Sequence, residues 1–131
     1  MASLAFTVRA VAMDRTNPFA AKTFAEALDA LGGVPSPSTQ ITLDAPELAD
    51  NGAVVPISVT SRLPGTREIV ILVDGNPQPV AARFTIADGT HAFVSTRIRM
   101  AQSGTIYAAV RTDDGLYVAA RATQVNVGGC G

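Results

Sequence analysis

The sequence contains no tryptophan, one histidine (His91) and one cysteine (Cys130). A single cysteine excludes an internal disulfide and a cysteine-rich zinc site. One histidine with one near-terminal cysteine does not complete a metal site either. Charge is scarce: 16% of residues are charged, 47% are hydrophobic and the net charge is −1. That balance excludes a disordered chain, which would be polar and strongly charged. It also leaves no electrostatic footprint for nucleic acid or an anionic membrane. No apolar run approaches the roughly 18 residues of a spanning helix. A Walker loop, a dinucleotide fingerprint and a paired-carboxylate motif are all missing, so no cofactor is expected.

What is present reads as one domain. At 131 residues the chain is long enough to bury a core without disulfides or metals. Thr23-x-x-Glu26 is a capping box, in which the Thr23 hydroxyl accepts from the Glu26 amide and Glu26 reaches back to the Thr23 amide. Phe24, Leu28 and Leu31 follow at helical spacing, and Gly32-Gly33 with Pro35 ends the pattern. One short helix is predicted over about 24–31, followed by a linker over 34–38.

From residue 39 the apolar spacing changes to two, the strand period. Ile41 and Leu43 share one face, as do Ala53, Val55, Ile57 and Val59; Pro56 inside that run points to an edge strand or a bulge. Ile69 to Val73 is continuously apolar, as in a strand covered on both faces. With the low charge, that run also suggests a sheet face reserved for a partner. Val80, Ala82, Phe84 and Ile86 make the next face, then Ala92, Val94, Thr96, Ile98 and Met100. Ile106, Ala108 and Val110 precede an Asp-Gly turn at 113–115. Leu116, Val118 and Ala120 are expected to face inward, with a bulge or bend between Ala120 and Val125, since Val125 and Val127 fall on the opposite parity. Seven such strands without interleaved helices predict an all-β fold, an immunoglobulin-like antiparallel β-sandwich with one short N-terminal helix. Residues 1–16 form a flexible extension in this reading, 17–127 the domain and 128–131 a glycine-rich swinging arm.

The chemistry points to that arm. A lone cysteine is usually a buried, inert small hydrophobe. Cys130 instead stands among Gly128, Gly129 and Gly131, which offer no side chains with which to pack. Glycine loses the most freedom on ordering, so the segment is expected to be mobile. From Gly128 to Cys130 it reaches ~10 Å at ~3.3–3.6 Å per residue. The thiolate attacks sulfur electrophiles and makes reversible S–S bonds. No Lys or Arg lies within eight residues of Cys130, so local charge does not favour the thiolate and activation is left to a partner's pocket. His91 reads as a surface histidine at a strand start, because a triad needs a rigid constellation that a glycine tail does not supply. Arg97 and Arg99, two apart on one strand face, form either a solvated face or a contact for an oxyanion or an acidic partner.

The ending Val125-Asn-Val-Gly-Gly-Cys-Gly131 resembles the SoxY family, the sulfur-carrier subunit of the bacterial Sox thiosulfate-oxidising system. So do the helix start at Thr23, the Ile41–Glu47 segment, the Asn51–Ile57 strand and the Ser95–Met100 strand. The resemblance runs over about 17–131. It implies an immunoglobulin-like fold, a heterodimer with a SoxZ-like subunit and a periplasmic address. It also implies that Cys130 carries the sulfur and that Gly128, Gly129 and Gly131 match the swinging arm. Separate enzymes would act on the adduct: a cytochrome complex, a sulfate-releasing hydrolase and a sulfane dehydrogenase. The chain departs from the family in ending one glycine sooner and in showing no export signal near Met1. Two other readings compete. In one, an immunoglobulin-like binding or structural module has an incidental or dimer-forming Cys130. In the other, a β-grasp carrier works through a terminal thiocarboxylate, which the Cys-Gly ending and all-β body disfavour.

Overall fold

The computed structural model describes residues 17–126. A 3-10 turn at Pro18–Ala20 leads into helix α1, Phe24–Leu31. The strands are β1 Ser36–Pro37, β2 Ile41–Asp44, β3 Leu48–Ala49, β4 Val55–Ser61, β5 Thr66–Asp74, β6 Val80–Thr85, β7 Phe93–Ile98, β8 Gly104–Thr112 and β9 Leu116–Val125. Seven of these have four or more residues; β1 and β3 are two-residue pieces that both lie parallel on β9. One sheet has the order β1-β9-β8-β5-β6 and the other β2-β4-β7. The two sheets face each other as an immunoglobulin-like sandwich. Ile41, Leu43, Val55, Ile57 and Val59 from the small sheet meet Ile69, Ile71, Val73, Ile106, Ala108 and Val110 from the large one.

The helix bounds agree with the sequence reading, and the Glu26 amide donates to Thr23 Oγ1 at 3.1 Å. The return bond differs: Glu26 Oε1 accepts from the Lys22 amide at 3.0 Å, one residue before the cap. Gly32, at φ +115°, takes the left-handed conformation that ends the helix. Ala27 and Leu31 are buried, with Ala21, against Val70, Leu72, Val80 and Ala109. Phe24 stacks on Tyr107 at a tilt, ring centroids 4.7 Å apart. The second face of β5 is thus covered by this chain's own helix, which removes the reason to reserve that face for a partner. Arg111 ties the layers together. It donates to the Leu31 carbonyl at the helix end and pairs with Glu68, which also pairs with Arg83.

Five details depart from the sequence reading. Ile71 is opposite Ala82 but Leu72 is opposite Val80, so Ala81 is an extra residue in β6. The bulge turns Val80 to the helix side, away from the face of Ala82 and Phe84. In β9 the register with β8 runs unbroken from Leu116 to Thr123, so no bulge separates Ala120 from Val125. Residues directly opposite share a face, so Tyr117 and Ala119, across from Val110 and Ala108, turn inward with Thr123 and Val125; Leu116, Val118 and Ala120 take the outer face. The 34–38 linker is partly a strand, with Ser36 beside Tyr117 and Pro37 beside Val118. Ala53 is exposed in the Asn51 turn, and the inward face of β4 starts at Val55. Pro56 sits in the middle strand of its sheet, but β2 ends opposite Ser58, so at Pro56 only β7 flanks β4 and no bulge forms.

Candidate functional site: the root of the C-terminal segment

Cys130 and Gly128, Gly129 and Gly131 lie outside the described residues, as do Val127 and residues 1–16. What the structure places is the point from which the cysteine-bearing segment departs. The ladder between β8 and β9 ends at Gly104 opposite Thr123, yet β9 continues to Val125. Successive amides of a strand point to opposite sides. Gln124 and Asn126 turn to β3, donating to the carbonyls of Glu47 at 2.9 Å and Ala49 at 3.0 Å. Val125 turns to the side where β8 has already ended, and its amide donates to Ser103 Oγ at 2.8 Å. A side chain thus takes the place of the missing ladder carbonyl. Beneath, the Thr123 hydroxyl, 1% exposed, donates to the Pro46 carbonyl at 2.8 Å.

Gly52 makes this close packing possible. A Cβ there would stand 2.5 Å from the Met100 carbonyl oxygen and 2.8 Å from Val125 Cγ1. The Met100 amide donates to the Gly52 carbonyl at 2.7 Å. The Asn51–Val54 turn, the end of β7 and the end of β9 therefore meet at one end of the sandwich. Asn76 stitches the β5–β6 turn to the same region: its Nδ2 donates to the Arg99 carbonyl at 2.6 Å and its Oδ1 accepts from the Ala101 amide at 2.9 Å.

Arg97 and Arg99 are both exposed at this end. Arg97 lies opposite Pro56, next to the Val55–Ile98 pair. Arg99 lines a cleft of about 530 Å³ with Asn76, Pro77, Gln78, Val80 and Ala81. Among the described residues neither makes an ion pair. His91 is at the other end of β7, exposed, with its ring stacked on Phe93. Seven residues separate it from Ile98, ~23 Å of strand at ~3.3 Å per residue. Among the described residues, His91 therefore lies far along β7 from Ile98, which pairs with Val55 beside the root of the C-terminal segment. Among the described residues no three His, Cys, Asp or Glu side chains gather as metal ligands, and no helix is long and apolar enough to cross a membrane.

Sequence reasoning missed Ser103, Thr123 and the Leu48–Ala49 strand. Ser103-Gly104 reads as a turn and nothing more. Thr123 carries the one available signal, a polar residue at an inward position, but the mistaken parity of β9 hid it.

The family model described as "Sulfur oxidation protein SoxY" matches residues 28–130, nearly the whole described domain and Cys130 beyond it. The chain belongs to the SoxY family. Among solved structures, the sulfur carrier protein SoxY from Chlorobium limicola f thiosulfatophilum is similar at 36% identity and a TM-score of 0.65. That match covers 73% of this chain and 88% of the other. A superoxide reductase (neelaredoxin) from Ignicoccus hospitalis is similar at 19% identity and a TM-score of 0.59, covering 66% of this chain and 80% of that one. At that identity the likeness is one of fold alone, an immunoglobulin-like sandwich shared with the SoxY domain. No curated protein matches.

Proposed function

We propose that this SoxY-family chain is a covalent sulfur carrier in sulfur oxidation, with the thiol of Cys130 as the carrying atom. One observation carries the reading. The last strand is held on both sides through Val125 and on one side at Asn126, and the family match continues past that root to residue 130. A fixed domain thus presents a short segment whose one reactive side chain is a thiol. The thiolate attacks a sulfur electrophile, forms an S–S bond and expels the leaving group; a later thiol or nucleophile reverses the step. With tetrathionate, Cys130 Sγ attacks a sulfane sulfur, thiosulfate leaves and a cysteine S-thiosulfonate remains. The cargo is the adduct itself, and the carrier needs no resident cofactor.

The chain is not itself an enzyme in this reading. A SoxZ-like subunit forms the heterodimer, the sulfur-processing Sox enzymes dock transiently, and the setting is the periplasm; membership of the SoxY family supports each of these. Gly128, Gly129 and Gly131 give the segment its slenderness. Arg97 and Arg99, exposed at the root end without ion-pair partners among the described residues, are contacts for the anionic adduct or for an acidic partner surface.

The deciding measurement is the intact mass of the purified protein before and after reductant, beside Cys130→Ser. Adducts of whole sulfur atoms or a thiosulfate-derived group, lost on reduction and absent from the variant, are the expected result. A clean mass that stays unchanged after polysulfide or tetrathionate overturns the reading.

A further inference from the structure

We propose that Ser103 and the two-residue strand β3 are the mechanical root of the cysteine-bearing segment and set its working length, with Ser103 as a positioning residue. The proposal rests on the carrier reading and names what positions its arm. An arm delivers its end group only as far as its free residues reach, each adding up to ~3.3–3.6 Å. Releasing Val125 and Asn126 would therefore lengthen the arm by half as much again, from four residues beyond Asn126 to six. The strand end is vulnerable to that. After Thr123 the β8 ladder is gone, and the edge of a sheet frays unless its amides find partners. Three bonds prevent it: Gln124 to the Glu47 carbonyl, Asn126 to the Ala49 carbonyl and Val125 to Ser103 Oγ. The first two run to β3 and the residue before it, and among the described residues β3 pairs with no strand but β9. Leu48 itself is 56% exposed, so β3 contributes little core through that side chain; Ala49 is buried against Val125 and its neighbours. The Ser103 side chain is likewise placed outside the core, with its oxygen spent on one amide of the strand end. Ser103 and the backbone of β3 thus hold the last strand residues before the arm.

The experiment uses the full chain. In Ser103→Ala, amide hydrogen exchange at Val125 should speed roughly tenfold, as loss of one hydrogen bond predicts. Exchange at Ile106 and Val110, deep in the sandwich, should not change, which separates local release from global loss of stability. Ser103→Thr, which keeps the hydroxyl, should restore slow exchange. Spin labels on Cys130 and on Thr85→Cys, an exposed site on β6, then read arm length. Ser103→Ala should broaden the distance distribution toward that of a chain with two glycines inserted after Gly129. Exchange at Val125 within twofold of wild type, or a distance distribution unchanged by Ser103→Ala, overturns the proposal. Tetrathionate treatment of the wild type keeps the two readings apart. Uptake at Cys130 with an unchanged root sinks the root alone, whereas no uptake sinks the carrier reading and the root's role with it.

Discussion

The hydroxyl of Thr123, a buried residue, and the carbonyl of half-buried Pro46, 77 residues apart in the chain, meet at 2.8 Å. The bond pins the segment before β3 to the last strand two residues before the domain's final ladder pair. Thr123→Val keeps the shape and removes the donor, leaving the carbonyl unsatisfied. The expected cost is about 1–3 kcal/mol, read as a lower urea midpoint at unchanged slope. A midpoint equal to wild type would show that water reaches the Pro46 carbonyl.

Gly52 makes a sharper demand. Any side chain there meets the Met100 carbonyl and Val125 Cγ1 at less than contact distance. Gly52→Ala should destabilise by about 1–3 kcal/mol, the usual cost of overpacking. It should also accelerate exchange at Val125 and Asn126 more than at Val110. Uniform acceleration would mean that the clash is relieved throughout the fold and not at the arm root.

Two ion-pair sites, one shared by three side chains and one by two, should behave oppositely. Glu68 is 11% exposed at its side chain and shared by Arg83 and Arg111, the latter also bonded to the helix end. Glu68→Gln leaves two partly exposed guanidiniums facing a neutral group, and about 1–2 kcal/mol of stability should be lost, below the buried-pair range because both arginines reach solvent. Arg67 and Asp113 are more than half exposed. Hydrogen bonding and charge from Asp113 raise the Arg67 pKa further above its ordinary value, so Arg67 stays charged throughout the physiological range. Asp113→Asn should leave the melting temperature unchanged at 0.15 M salt, where such pairs are screened. A large drop would show that the pair organises the β8–β9 turn.

With Cys130 as the carrying thiol among glycines, Cys130→Ala should abolish sulfur loading while leaving the melting temperature as it was. A destabilised variant would mean that the cysteine packs on the domain, and the arm reading would fall.

Arg97 and Arg99 should matter through charge. Replacing both with Ala should slow the reaction of Cys130 with tetrathionate, a dianion, by about two- to tenfold at low salt. The difference should shrink as salt rises. Equal rates at low salt would remove the pair from the chemistry and leave them as a solvated face.

Some of this molecule was legible in its amino-acid order. The Thr23 cap, the Gly32 stop and the alternation along β2, β4, β7 and β8 depend on neighbours a few residues away, so local chemistry settles them. The doubly covered β5 was legible too, although its cover proved to be the chain's own helix. The placing of Cys130 among glycines after the last strand needs no coordinates at all. Tertiary structure decided what depends on distant partners. Ala119 and Ala120 are too alike to fix the parity of β9, and only pairing with β8 turned Tyr117, Thr123 and Val125 inward. One extra residue, Ala81, moved Val80 across the sheet. Ser103 and Thr123 gained their roles from partners 22 and 77 residues away. A hydroxyl at a turn is worth little until the fold brings it an amide that has lost its ladder, and here that meeting happens because β9 runs two residues past its last pair with β8.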